Sequence, residues 1–172
     1  MKLEDAKMEF VQSWGILGSE WGIPKSMGQI HALLLSHKEG ISAEDVMEGI
    51  QLSRGNVNTN LRELIDWGLV TKQSKIGERK EYFQASYDVW SIAKNIVEKR
   101  KKKEIEPVQQ LLRKLKDQKL EGNKEDVKHF QKIVKEIDDF VNQMDQLSEL
   151  MIKMNDNLFF KKIIKSLAKR KS

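Results

Sequence analysis

The sequence predicts a mainly α-helical chain with one small β-hairpin, organised as a compact domain in residues 1–87 and a helical module in residues 88–172. Three observations carry this reading. Apolar residues recur at helical spacing along most of the chain. Residues 69–85 instead gather Val, Thr, Tyr and Phe on both sides of a Gly-containing tip, which is a hairpin signal. After Tyr87 the composition turns to nearly continuous helix-forming sequence dense in Lys, Glu and Leu.

Residues 3–17 form the first predicted helix, with Phe10, Trp14 and Leu17 on one stripe that packs on the domain or across a dimer. Gly22-Ile-Pro24 ends it and starts the next, because proline is tolerated in a first helical turn but not inside a helix. The second helix, 25–37, is lined by Ile30, Leu33 and Leu34, with His31 at the core edge. A third, 41–50, is capped by Ser42 with Asp45 three residues on, a shortened capping box. The link Gln51-Leu52-Ser53 has the length of the turn in a helix-turn-helix unit.

Ser53 caps a fourth helix over 53–67, and Gly68 suits the left-handed turn beyond its end. Val57, Leu61, Leu64 and Ile65 fall on one stripe and face the core. The opposite face then carries Gly55, Asn56, Thr59, Arg62 and Glu63, flanked by Asn58 and Asn60. The hairpin that follows, 69–86, holds Lys75, Arg79 and Lys80 at its tip. Helix, short turn, helix and basic hairpin together form a winged helix-turn-helix pattern. Asn pairs with adenine edges and Arg with guanine in a major groove, while tip cations suit phosphates. Ser53, Arg54, Gly55, Asn56, Asn58, Thr59, Asn60 and Arg62, with Lys75, Arg79 and Lys80 on the wing, are therefore the predicted contacts to double-stranded DNA. A plainer alternative leaves the helix face merely solvated and makes the chain a protein-interaction module that never touches DNA.

The blocks Trp14-Gly-Ile-Leu17, Trp21-Gly-Ile-Pro-Lys-Ser-Met-Gly-Gln-Ile-His-Ala-Leu-Leu-Leu35, Ser53 to Val70, and Gly77-Glu-Arg-Lys-Glu-Tyr-Phe83 resemble the GbsR-like branch of the MarR/ArsR winged-helix regulators. Asn58 stands where that family would have a serine or threonine. The resemblance implies a dimeric transcriptional regulator, a repressor, with control of osmoprotectant uptake or synthesis and a choline-like effector in some members.

In the second module a linking helix begins near residue 88, with Val89, Ile92, Ala93, Ile96 and Val97 as its apolar side. Lys99-Arg-Lys-Lys-Lys103 lacks apolar members and is expected to be solvated. Pro107 restarts the helix with Val108, Leu111, Leu112 and Leu115, and Gly122-Asn123 breaks it. From residue 124, Val127, Phe130, Val134, Ile137, Val141, Met144 and Met151 follow a three-four spacing, with Ile133, Phe140, Leu147 and Met154 on an adjoining stripe. A lone helix cannot bury two stripes, so the first set is the predicted homodimer seam. Leu158, Phe159, Ile163, Ile164 and Leu167 then mark a docked terminal helix with a basic tail, Lys169-Arg-Lys171, in preference to a membrane-binding one.

The composition removes other classes. No cysteine is present, so disulfides, thiolate metal sites and a cysteine nucleophile are out, and three scattered histidines argue against a metal cluster. Phosphate-loop, dinucleotide and nucleophile-elbow patterns are missing, which argues against an enzyme and against a bound cofactor. Neither a signal-peptide pattern nor a membrane-spanning apolar run occurs, so a cytoplasmic protein with no membrane partner is expected. The net charge of +5 suits a nucleic-acid partner. Trp14, Trp21, Trp67 and Trp90 are individually explained as packing residues, although four tryptophans and two tyrosines offer material for an aromatic cage around a quaternary ammonium.

Overall fold

The computed structural model describes residues 1–153. The chain divides into two compact units, Met1–Ile92 and Ala93–Ser172. The division falls inside a helix, a little past the composition change at Tyr87.

In the first unit α1 (Leu3–Glu20) packs on α2 (Lys25–Leu35). The buried positions of α1 are Val11 and Gly15, whereas Phe10, Trp14 and Leu17 remain 38%, 37% and 45% exposed. The predicted stripe is thus not what packs α1 on the domain, which leaves the other expectation, packing across a dimer. Glycine explains the packing of α1 on α2: a Cβ on Gly28 would stand 3.1 Å from both the Gly15 Cα and the Trp14 carbonyl oxygen. The two helices meet backbone to backbone, and a hydrophobicity pattern does not register such a contact. Gly28→Val should therefore destabilise the unit by about 1–3 kcal/mol through overpacking, read as a lower denaturant midpoint. An unchanged midpoint would mean that α1 shifts without cost.

On α2 the residues Ile30, Ala32, Leu33 and Leu34 are core. His31, expected at the core edge, is inside it at 4% exposure. Ile41, expected in a helix, instead forms the short strand β1 (Ile41–Ser42) with the cap residue Ser42. Next, α3 (Ala43–Ile50) starts with the predicted capping box: the Ser42 hydroxyl accepts from the Asp45 N–H at 3.2 Å, and the Asp45 carboxylate accepts from the Ser42 N–H at 2.9 Å. Gln51, at φ 53°, turns the chain toward α4 (Arg54–Asp66).

Helix α4 ends in a Schellman turn. Gly68, at φ 66°, donates to the Ile65 carbonyl at 2.8 Å, and the Leu69 N–H donates to that of Leu64 at 2.9 Å. The hairpin follows at once as β2 (Val70–Ser74) and β3 (Glu81–Ala85), paired antiparallel from Val70↔Ala85 to Ser74↔Glu81. With β1 on the other side of β3, the three-stranded sheet has the order β1-β3-β2. Its root, through Val70, Phe83 and Ala85, joins the helical core, while residues 71–80 are exposed.

Helix α5 (Val89–Arg100) is capped by Asp88, whose carboxylate accepts from the N–H groups of Trp90 and Ser91. A π-helical turn, Lys101–Ile105, then leads without a break into α6 (Glu106–Asp117). Pro107 therefore sits in the first turn of α6, downstream of the wider π turn, and does not restart a separated helix. The expectation that 99–103 is wholly solvated fails at Lys101. Its side chain is 14% exposed, with Nζ 3.2 Å from Asp145 and also paired with Glu149, both on α7 (Lys124–Lys153). Hydrogen bonds from Lys101 and then Lys153 push the Glu149 carboxyl down to about 2. Leu112 and Val134 are buried in this unit, and Lys116 reaches Asp138 at 2.6 Å. The amphipathic stretch expected at 156–169, and Met154, lie outside the described residues. Among the described residues no helix is long and apolar enough to cross a membrane, and no three His, Cys, Asp or Glu side chains gather as a metal ion would need.

Candidate nucleic-acid interface

Helix α4 sets its inner face with Val57, Leu61 and Leu64, each 1% exposed or less. Ile65, the fourth predicted core residue, is half-buried. That anchoring leaves Arg54, Gly55, Asn56, Asn58, Thr59 and Arg62 exposed along the opposite side. The cap residue Ser53 accepts from the Asn56 N–H at 3.4 Å. Arg54 lies 3.5 Å from Glu44 of α3, a loose and solvent-screened pair that leaves its guanidinium accessible. Around Gly55 nothing lies within 4 Å of an added Cβ, so the fold itself does not demand glycine there. Its smallness keeps the surface low for whatever approaches.

Two residues of the predicted face behave otherwise. Asn60 is 8% exposed, and the two hydrogens of its Nδ2 are shared among three acceptors, the Asn56 carbonyl at 2.9 Å, the Asn56 Oδ1 at 2.5 Å and the Ser26 hydroxyl at 3.2 Å. As a predicted direct contact it is corrected: it lies between α4 and the start of α2. Glu63 is half-buried and accepts from the Trp67 indole N–H at 2.9 Å, tying down the helix end. Trp67 is 7% exposed and belongs to the core.

The hairpin tip exposes Lys75, Arg79 and Lys80 as expected from their sequence. Two residues that the sequence did not single out organise it. The Tyr82 ring lies 4.3 Å under the Lys75 ammonium, and the Tyr82 hydroxyl donates to Glu78 at 2.5 Å, which holds the phenol above its ordinary range. Lys72 pairs with Glu81 across the ladder at 2.6 Å. At the wing base the Asp45 carboxyl is held below its usual range, first by the Ser42 hydroxyl and backbone N–H and further by the Lys80 charge. The alternation of Glu78, Lys80 and Tyr82 around a tip was the available signal.

In the second unit the predicted seam residues separate into two sets. Val134 is 6% exposed and Val127 and Val141 are half-buried within the chain itself, so they are not free for a partner. Phe130, Ile137, Met144 and Met151 remain 43%, 44%, 40% and 36% exposed, and Phe140 and Leu147 beside them 61% and 56%. Met144, Leu147, Leu150 and Met151 also line an apolar groove of about 510 Å³ with Val97 and Ile105. No aromatic side chain lines that groove, so it is not a cage for a quaternary ammonium.

No protein-family model matches the chain. The HTH-type transcriptional regulator MmpR5 of Mycobacterium tuberculosis is 29% identical over 85 residues, which cover 49% of this chain and 52% of that protein. The chain thus spans about half the length of the curated relative it matches. Among solved structures, the crystal structure of a transcriptional regulator gives a TM-score of 0.65 at 19% identity, covering 86% of this chain and 95% of that one. An S. aureus MepR mutant bound to an oligodeoxyribonucleotide gives only 0.41 at 16% identity, over 83% of this chain and 91% of that one. Mostly helical, with a three-stranded antiparallel sheet whose last two strands form a wing, the chain has the winged-helix fold of transcriptional regulators.

Proposed function

We propose that this chain is a DNA-binding transcriptional regulator that lays α4 in a major groove and sets the β2–β3 wing on the flanking backbone. The observation that carries the reading is the capped helix α4, anchored by three core residues, with an exposed face of Arg, Asn, Thr and Gly and a three-cation hairpin tip in the same compact unit. The match to MmpR5, named as a transcriptional regulator, supports it. The finer reading is a homodimeric repressor of the GbsR-like branch acting in the cytoplasm, associated through the exposed apolar face of α7, with a choline-like effector. Arg62→Ala should cost roughly 1–3 kcal/mol at a cognate site, the range of a lost bidentate base contact. Asn56→Ala should weaken the same site as well. Lys75→Ala, Arg79→Ala and Lys80→Ala should instead weaken binding to every duplex and each reduce the salt slope by about 1. Titrations of duplex DNA between 50 and 200 mM salt measure both. Unchanged affinity in all five variants would remove the groove assignment and leave a protein-interaction module. The effector is tested by choline titration with tryptophan fluorescence, with and without DNA, since an allosteric ligand must show different affinity in the two conditions.

A further inference from the structure

Asn60 is one helical turn beyond Asn56, yet the two asparagines occupy opposite environments: Asn56 is exposed and Asn60 is buried. The Asn60 Nδ2 lies 2.9 Å from the Asn56 backbone oxygen and 3.2 Å from the Ser26 hydroxyl. A backbone carbonyl only accepts, so the nitrogen side of the Asn60 amide must be the side turned toward Asn56. The same nitrogen lies 2.5 Å from the side-chain amide of Asn56, and only the oxygen of that amide can meet an N–H. The Asn56 Oδ1 is therefore drawn back toward the helix, and its NH2 group is the part left for an outside partner.

We infer that Asn60 is a positioning residue that fixes the Asn56 amide with its NH2 outward, so that Asn56 reads an acceptor-only base edge, guanine N7 and O6, and not adenine. Pairing with adenine in a major groove uses the amide oxygen and nitrogen together, the oxygen taking the N6 donor and the nitrogen giving to N7. With the oxygen turned back onto Asn60, the donating half is the part presented outward, and guanine presents two acceptors side by side. Ser26, on the first turn of α2, closes the arrangement from outside α4 and ties the orientation of a groove-facing side chain to the packing of the domain. This inference rests on the reading of α4 as a DNA recognition helix.

Two experiments test it. In the free, uniformly 15N-labelled protein, the side-chain amide protons of Asn60 should exchange slowly with water and those of Asn56 fast. Protected Asn56 protons would overturn the orientation, whatever the protein does with DNA. Selection of duplexes from a random library by the full chain should then yield a site with one guanine whose preference disappears in Asn56→Ala. In Asn60→Ala that same position should lose at least about tenfold of its preference or shift to adenine. Positions lost in Arg62→Ala, and the salt slope, should stay as they were. Should Asn60→Ala prove unfolded, Ser26→Ala, which removes only the outer acceptor, takes its place with the same expected direction. An unchanged base preference in a folded variant, or an adenine at the Asn56-dependent position of the parent protein, sinks the positioning role alone. No salt-dependent DNA binding by the parent protein would instead sink the recognition-helix reading, and this inference with it.

Discussion

Val134→Asp should unfold the second unit, whereas Ile137→Asp, three residues along the same helix, should leave it folded and strongly weaken association of two copies. Val134 is 6% exposed, so the substitution forfeits about 2 kcal/mol of apolar burial. It also leaves an unpaired polar group desolvated, which adds a further penalty of about 2 kcal/mol or more. A loss of that size is a large part of the stability of a small domain. Ile137 is 44% exposed, and a carboxylate there stays hydrated in the single chain. It meets a desolvation penalty only when a second copy covers the face, and in a symmetric pair two such charges are buried. At about 1.4 kcal/mol per factor of ten, the dimer dissociation constant should rise by roughly two to three orders of magnitude. Helical circular dichroism separates the two variants by folding, and sedimentation separates them by mass. A dimeric Ile137→Asp protein of unchanged affinity would move the seam to another surface, and the half-exposed Phe10, Trp14 and Leu17 face of α1 would be the next to test.

Why Val134 and Ile137 part company also shows what could be read in advance. Features set by a few neighbouring residues were legible: the Ser42 and Ser53 caps, the Gly68 turn, the core stripe of α4 and the exposed basic tip of the wing. Each depends on contacts within one or two turns of chain. What misled was whatever depends on a partner far away in sequence. Asn60 reads as a polar residue beside a polar face, and only Ser26, 34 residues earlier, accounts for its burial. Lys101 reads as one lysine in a basic run, and its carboxylate partner Glu149 is 48 residues on. The two stripes of α7 were both visible as periodicity, but which one the chain covers by itself was not. The Gly15 and Gly28 contact left no hydrophobic signature, because the residues that make it have no side chains.

A further long-range effect is His31, and it gives the first unit a distinctive response to acid. Its ring is 4% exposed, its Nε2 has no hydrogen-bond partner among the described residues, and burial pushes its pKa down from 6.5 to about 4. The folded chain therefore keeps the imidazole neutral while the unfolded chain protonates it. Because the unfolded state binds more protons below pH 6.5, the stability present above that pH is lost as pH falls. The loss proceeds at up to about 1.4 kcal/mol per pH unit and levels off once the folded state also protonates near pH 4, for a total of about 3 kcal/mol. In the same unit the lowered carboxyl of Asp45 acts in the same direction but in a lower window, below its ordinary value of 3.8. Denaturant midpoints measured from pH 8 to pH 4 should thus fall mainly between 6.5 and 4 in the parent protein. In His31→Leu the same interval should be nearly flat, because the substitution removes the titrating group and the unpartnered nitrogen together. A parent protein whose midpoint does not change between pH 6.5 and 4.5 would mean that the ring finds a proton-accepting partner on charging, and that the core around α2 opens to admit it.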